Sequence, residues 1–225
     1  MIFRQNDSFV TVSMIDPRRI AAAIAGVLVA LAAGCCFAAA APVILVVGDS
    51  ISAGYGLPAN EGWTTLLQRR LAAEQFPYRV VNASISGDTT AGGRARLPAL
   101  LEQHRPAITI IELGGNDGLR GGSLDAMRAN LDAMTASAQK AGSNVLLIGM
   151  QVPPNYGAPY VRRFGSIFSD VAHSHKAALV PFFFEGFGDD SAMFQQDRIH
   201  PVAIAQQRLL DNVWPQLRPL LGKPR

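Results

Sequence analysis

Short apolar runs alternate with longer amphipathic segments from Val43 to the C-terminus. The first run, Val43 to Val47, has no polar residue on either face, which is typical of a parallel strand that is covered on both sides. Four later apolar runs also predict strands: Tyr78 to Val81, Ala107 to Leu113, Asn144 to Met150 and Leu179 to Phe183.

The segments between and after these strands place apolar residues at helical spacing. They predict helices over residues 61–76, 94–104, 123–140, 160–176 and 201–217. Pro98 is expected to kink or restart the second helix, and Ser123 to cap the third. The alternation of strands and helices predicts one α/β domain over residues 41–225, a three-layer αβα sandwich around a flavodoxin-like, five-stranded parallel sheet.

The predicted strand order is 2-1-3-4-5, which brings the loops after the first three strands to a topological switch point. Open α/β sheets bind ligands at such a point. Ser50, Gly87 and Asn116 occupy these three loops. Each residue also has an ordinary structural explanation as a cap or turn residue, so none of them alone indicates chemistry.

A fourth polar element, D-R-I-H at Asp197 to His200, precedes the last helix. An aspartate and a histidine three residues apart in one turn fall on the same side. The Asp197 carboxylate can then accept from Nδ1 of His200 and leave Nε2 free to take the proton of Ser50. Backbone N–H groups of Ser50 and Gly87, with the Asn116 amide, are candidate donors to the negative charge of acyl transfer.

Together the motifs G-D-S at Gly48, N-A-S-I-S-G-D-T around Gly87, G-G-N-D at Gly114 and D-x-x-H at Asp197 resemble the four blocks of the SGNH (GDSL) hydrolase superfamily. The similarity extends over residues 43–220. It implies that Ser50 is the nucleophile, His200 the general base and Asp197 its orienting partner. It also implies an oxyanion hole formed by Ser50, Gly87 and Asn116.

The resemblance further implies an acyl groove between residues 118–122 and 151–156, with Leu119, Val152 and Pro153 binding substrate. The glycines are expected to let the first segment move, and the phenylalanine-rich stretch at 182–187 belongs to the expected substrate wall. The implied activity is hydrolysis of acyl esters and thioesters through an acyl-enzyme, of the arylesterase, thioesterase or lysophospholipase type, without metal or cofactor. Two alternatives stay open: a carbohydrate deacetylase on the same fold, and a non-catalytic acyl-binding module of the cell envelope.

The N-terminal 40 residues have the layout of a secretory signal peptide. Arg18-Arg19 is followed by an uncharged apolar stretch and then by the alanine run at 38–41. We expect cleavage after Ala40 and a periplasmic or secreted enzyme; translation can also start at Met14. The alternatives are an uncleaved anchor and a lipoprotein with Cys35 modified.

Charge and composition argue against other classes of function. The formal net charge is +3 and the basic pairs, such as Arg69-Arg70, form no stripe, so nucleic-acid binding is not expected. His173 and His175 lie two apart in a predicted helix and point away from each other, which disfavours a metal pair. A monomer acting on a small acyl substrate, without an obligate protein partner, is the expected form.

Overall fold

Five parallel strands form the centre of the computed structural model, which describes residues 41–224. They are β1 (Val43–Gly48), β2 (Arg79–Asn82), β3 (Ile108–Glu112), β4 (Asn144–Ile148) and β5 (Ala178–Val180). Their order is β2-β1-β3-β4-β5, so the predicted fold class and strand order are confirmed. The expected signal peptide, with Met14 and Cys35, lies outside the described residues.

Seven α-helices connect and follow the strands within residues 41–224. They are α1 (Ser50–Ala53), α2 (Trp63–Ala73), α3 (Thr90–His104), α4 (Gly115–Leu119), α5 (Leu124–Lys140), α6 (Ala158–His175) and α7 (Gln206–Leu217). Helix α2 packs against α7, whereas α3, α5 and α6 pack side by side. Right-handed crossovers in this strand order place the two groups on opposite faces of the sheet. In the part of the chain that is described, no helix combines the length and apolar character needed to cross a membrane.

The central strands are completely covered, as their apolar sequences predict. Every residue of β1 and β3 is buried, and the parallel register pairs Val47 with Ile111 and Gly48 with Glu112. This register brings the polar ends of β1 and β3 side by side at the carboxyl edge of the sheet. The segment that contains Ser50 therefore begins next to the segment that contains Asn116.

Three predicted boundaries differ from the structure for local reasons. Helix α3 starts at Thr90, capped by Thr89, and runs through Pro98 without restarting, because the position is exposed and the carbonyl that loses its donor can face water. Strand β5 ends at Val180 because Pro181 has no N–H to continue the ladder. Residues 203–205 form a 3₁₀ turn before α7, so the last helix begins later than predicted.

The segment after Asn116 also differs from the predicted loop. Residues 115–119 form the short helix α4, and Gly118 lies buried within it. A Cβ atom at Gly118 would lie 2.4 Å from Cε2 of Phe164 and 2.7 Å from Cγ1 of Val152. Glycine is needed here for close packing of α4 against α6, which is a different reason from the mobility expected of this segment.

Candidate active site

Ser50 stands at the first position of α1, directly after β1. Asp49 caps this helix by accepting a hydrogen bond from the N–H of Ile51 at 3.0 Å. Gly48 allows β1 to end in close contact with Glu112 of β3 and with Ser52. A Cβ atom at residue 48 would lie 2.7 Å from Oε2 of Glu112 and 2.8 Å from Cβ of Ser52. The turn that contains Ser50 is thus fixed by the Asp49 cap on one side and by the close packing at Gly48 on the other.

A continuous chain of hydrogen bonds joins Ser50, His200 and Asp197. Oγ of Ser50 lies 2.8 Å from Nε2 of His200, and Nδ1 of His200 lies 2.7 Å from Oδ2 of Asp197. The ring of Tyr55 packs on the imidazole with centroids 4.5 Å apart. Residues from both ends of the described chain therefore meet in the geometry that a serine nucleophile and its general base require.

The turn from Asp197 to His200 holds the aspartate in its ionised form. Oδ1 of Asp197 accepts from the N–H groups of Ile199 and His200 at 2.9 and 3.0 Å, and Arg198 between them adopts a φ of +58°. Partial desolvation raises the pKa of the Asp197 carboxyl, but the hydrogen bonds from the His200 ring and from the two backbone groups outweigh it and lower the pKa to about 2. Asp197 is consequently an anion at neutral pH, able to orient and stabilise a positively charged imidazole ring.

Three candidate hydrogen-bond donors, from Ser50, Gly87 and Asn116, belong to residues that line the same cleft. Among residues 41–224, no group accepts from the N–H of Ser50 or from that of Gly87, so both are free to bind a substrate oxygen. Gly87 has a φ of +78°, a left-handed conformation that glycine adopts without strain. Arg120 donates to the Gly87 carbonyl at 3.1 Å and links this loop to the end of α4.

The third donor, the Asn116 amide, is held by Asp49. Nδ2 of Asn116 donates one hydrogen to Oδ2 of Asp49 at 3.0 Å, which leaves its second hydrogen available. Asp49 is 2% exposed. Burial raises the pKa of its carboxyl group to about 6, although the hydrogen bonds from Ile51 and Asn116 act to lower that pKa.

A second buried carboxyl group, that of Glu112, lies beneath the turn that contains Ser50. Oε2 of Glu112 accepts from the Ser52 hydroxyl at 2.7 Å and from the Asp49 N–H at 3.3 Å, whereas Oε1 has no partner among the described residues. The Ser52 hydroxyl accepts in turn from Nε1 of Trp63 at 3.1 Å. Complete burial, and after it the nearby charge of Asp49, raise the pKa of Glu112 well above its ordinary value.

Ser50 and His200 line a cleft with a volume of about 1200 Å³. Leu119, Val152 and Pro153, the residues expected to bind substrate, all line it. Val152 is largely covered, whereas Leu119 is half-buried and Pro153 exposed. The structure thus brings the site residues selected from the sequence to the lining of one cavity, except Asp197, which is hydrogen-bonded to the cavity residue His200.

Several residues that line this cavity or lie beneath it were not selected from the sequence. Glu112 is the single charged residue of an apolar strand, a signal that was available in the sequence, but its partners are set by the register of β1 and β3. The packing of Tyr55 on His200 depends on residues 145 positions apart in the chain and had no local signal. Phe184 and Phe194 also line the cleft; only the first lies in the stretch expected to form a substrate wall.

The pair His173 and His175 is not arranged as a metal site. Nε2 of His175 lies 2.8 Å from Oδ1 of Asp132 on the neighbouring helix. Within residues 41–224, no three side chains of His, Cys, Asp or Glu are grouped so as to hold a metal ion.

Comparison with known proteins places this chain in one family of hydrolases. Residues 46–208 match the model of the GDSL-like Lipase/Acylhydrolase family. Esterase TesA of Pseudomonas aeruginosa is 58% identical over 183 residues, which are 81% of this chain and 91% of that protein. Thioesterase 1/protease 1/lysophospholipase L1 of Escherichia coli K12 is 42% identical, over 82% of this chain and 88% of that protein.

Solved structures of similar proteins include members of the same group of esterases. The crystal structure of TesA matches with a TM-score of 0.78 at 57% identity, over 80% of this chain and 99% of that one. The psychrotrophic esterase EstA from Pseudoalteromonas sp., in a structure inhibited by monoethylphosphonate, matches with a TM-score of 0.75 at 41% identity, over 79% and 97% of the two chains.

Proposed function

This chain belongs to the GDSL-like lipase/acylhydrolase family of ester hydrolases, and we propose that it cleaves acyl esters and thioesters by attack of Ser50 on the carbonyl carbon. The observation that carries this assignment is the hydrogen-bonded chain from Ser50 through His200 to Asp197, with distances of 2.8 and 2.7 Å, at the wall of the cleft.

The first half of the reaction forms an acyl-enzyme. Nε2 of His200 accepts the hydroxyl proton as Oγ of Ser50 bonds to the carbonyl carbon, and the resulting imidazolium is stabilised by the Asp197 carboxylate. The carbonyl oxygen becomes an anion that accepts from the N–H groups of Ser50 and Gly87 and from Nδ2 of Asn116. His200 then returns its proton to the leaving oxygen or sulfur, which departs. Water activated by His200 releases the acid in the second half.

The acyl chain is proposed to lie along Leu119, Val152 and Pro153. This side of the cleft is aliphatic and begins at Asn116, because α4 joins Asn116 to Leu119. Gly118 packs directly against Val152, so the two segments that form this wall support one another. A groove of this kind binds chains mainly by apolar contact.

We further propose that the enzyme is exported and acts as a monomer. The charged pair Arg18-Arg19, the uncharged segment after it and the alanine run at 38–41 support cleavage after Ala40. N-terminal sequencing of the protein secreted from cells that express the full chain tests the site. A mature chain that begins before Ala38 would contradict it, and light scattering of the secreted product tests the monomer.

The function is tested with p-nitrophenyl esters from acetate to palmitate and a matching acyl-CoA series. The full chain is compared with Ser50→Ala, which is expected to reduce turnover on the order of a millionfold. Activity that disappears in this variant supports the serine mechanism, and a preference for acetylated sugars over longer acyl chains would identify a deacetylase. A protein that binds acyl ligands, shows no turnover and is not labelled at Ser50 by a fluorophosphonate would be a binding module instead.

A further inference from the structure

The N–H of Gly87 belongs to a tight turn whose conformation decides where this donor points. The N–H of Asp88 donates to the Ile85 carbonyl at 3.1 Å and closes a β-turn over residues 85–88. Gly87, the third residue of the turn, has a φ of +78°, whereas Ser86 before it does not have a positive φ, so the turn is of type II. In a type I turn the peptide between these two residues is turned over. Such a change would reverse the direction of the Gly87 N–H and remove it from the oxyanion.

Contacts outside the turn have to hold this conformation. Ser86 and Gly87 are exposed, and glycine adopts positive and negative φ values with similar ease. The N–H of Ile85 donates to the Gly48 carbonyl at 3.0 Å, which attaches the first residue of the turn to the end of β1. Arg120 reaches the Gly87 carbonyl from an exposed position, where water competes for the same hydrogen bond. A contact that is shielded from water is therefore the stronger restraint.

Arg96 of α3 makes such contacts at both ends of the turn. Its side chain is 20% exposed. Nε donates to Oδ2 of Asp88 at 2.8 Å, Nη1 donates to the Ala83 carbonyl, and Nη2 donates to the Gly48 carbonyl at 3.3 Å. Ala83 precedes the turn, Asp88 ends it, and Gly48 lies two residues before the nucleophile. One guanidinium group thus connects the turn that carries one backbone donor to the strand that leads to the other.

The partner of Arg96 is itself fixed. The Asp88 side chain is 11% exposed, and its Oδ1 accepts from the N–H of Thr89, the cap of α3, at 2.9 Å. A Cβ atom at Gly92 would lie 1.9 Å from this Oδ1, so the carboxylate packs directly on the first turn of the helix. The ion pair therefore has little freedom to follow a displaced turn, and it opposes such a displacement.

We propose that Arg96 is a positioning residue of the reaction, which holds the N–H of Gly87 in line with the N–H of Ser50 so that both reach the same oxyanion. The inference rests on the proposed function, because the alignment matters only if the oxyanion forms between these donors. Arg96 is not among the residues that line the cleft, so it acts without touching substrate. A lysine could pair with Asp88, but a single ammonium group does not reproduce the planar fork that reaches three acceptors.

The test compares Arg96→Lys with the parent on p-nitrophenyl butyrate at pH 8. We expect kcat to fall about tenfold to a hundredfold, less than or equal to the loss of a whole donor, because a misplaced donor is weakened in the transition state. KM should change by less than about twofold, since the ester binds before the oxyanion develops.

An alkyl trifluoromethyl ketone tests the oxyanion directly. Oγ of Ser50 adds to its carbonyl carbon, the hydroxyl proton passes to His200, and the carbonyl oxygen becomes the anion that the donors bind. The inhibition constant of this ketone should rise in Arg96→Lys by about the factor by which kcat/KM falls. A residue that only supports the fold would not link these two quantities.

Two further variants complete the experiment. Arg94→Lys is the matched control from the same helix: Nη1 of Arg94 donates to Oδ1 of Asn130 at 3.1 Å, away from the turn, so kcat, KM and ketone affinity should stay within about twofold of the parent. Asp88→Asn tests the contact from its other side and keeps the test decisive if Arg96→Lys does not fold. Its oxygen should stay on the Thr89 N–H, so its amide faces Nε of Arg96 and the same fall in kcat at constant KM is expected.

Three results would overturn the proposal. The first is a folded Arg96→Lys or Asp88→Asn with the kcat and ketone affinity of the parent. The second is a rise in KM at constant kcat, which would show an effect on substrate binding. The third is an equal loss in Arg94→Lys, which would show a general effect of changes in α3. Absence of Ser50-dependent hydrolysis in the parent would instead contradict the proposed function itself, so the two failures are distinguishable.

Discussion

Replacing Asp49 with asparagine is expected to slow hydrolysis and to stabilise the protein at the same time. Oδ1 of Asp49 accepts from the N–H of Ile51, and Oδ2 accepts from Nδ2 of Asn116. Asparagine has only one acceptor oxygen. Because the backbone of Ile51 cannot reverse its donor, whereas the Asn116 amide can turn over, the oxygen of the new residue should stay on Ile51.

The expected loss of activity follows from this amide reversal. The new amide donates toward Asn116, which turns its own oxygen to face that donor and withdraws Nδ2 from the site of the developing oxyanion. Loss of one such donor costs roughly a hundredfold to a thousandfold in kcat. Asp49→Asn should therefore lose about as much activity as Asn116→Ala, because its effect is transmitted through the Asn116 amide.

The expected gain in stability follows from the buried charge. The pKa of Asp49 is raised from 3.8 to about 6, so ionisation costs about 3 kcal/mol more in the folded protein than in the unfolded chain. The neutral amide avoids this cost but makes weaker hydrogen bonds than a carboxylate, so a net stabilisation of about 1–2 kcal/mol is expected at pH 8. In the parent, Asp49 should lower the free energy of unfolding as the pH rises from about 4 to about 6, because only the folded state still holds the proton there.

Two measurements check this reasoning. The kcat for p-nitrophenyl butyrate at pH 8 reports the amide reversal, and the urea midpoint, followed by the fluorescence of Trp63 and Trp214, reports stability. In a double-mutant cycle, Asp49→Asn should have little further effect on kcat once Asn116 is alanine. Full activity of Asp49→Asn would refute the proposed effect through Asn116. So would a loss of kcat on adding Asp49→Asn to Asn116→Ala that is as large as the loss in the parent.

Three further changes test the surroundings of Ser50. Asn116→Ala should lower kcat roughly a hundredfold to a thousandfold, and it should lower the urea midpoint at pH 8 because the buried Asp49 carboxylate loses a hydrogen bond. Gly48→Ala should destabilise by about 1–3 kcal/mol in urea unfolding, because the new Cβ atom would lie 2.7 Å from Oε2 of Glu112. Glu112→Gln keeps an acceptor for Ser52 and Asp49 and removes a buried acid, so its thermal midpoint at pH 8 should equal or exceed that of the parent; a large fall would show that the ionised form is needed.

The sheet and the main site could be predicted because their signals are local. An apolar run such as Val43 to Val47 reports burial directly, and the strand order places the loops of Ser50, Gly87 and Asn116 together. Boundaries were less predictable where a side chain from elsewhere decides them. Helix α3 begins at Thr90 because Asp117, from the short helix α4, accepts from both its N–H and its hydroxyl group.

The acid pair beneath Ser50 shows why the remaining features needed the structure. Glu112 follows four uncharged residues in β3, and its neighbours in sequence do not reveal that Gly48 leaves room for its carboxyl group. An apolar residue of similar size would avoid the cost of burying an acid, but it would leave the Asp49 N–H and the Ser52 hydroxyl without their acceptor. Asp49 in turn holds the Asn116 amide. Glu112, whose burial as an acid costs stability, therefore fixes the turn on which the Asn116 donor depends. Such a balance of stability against geometry is expected at a catalytic site, and it arises from contacts between strands that a single segment of sequence does not contain.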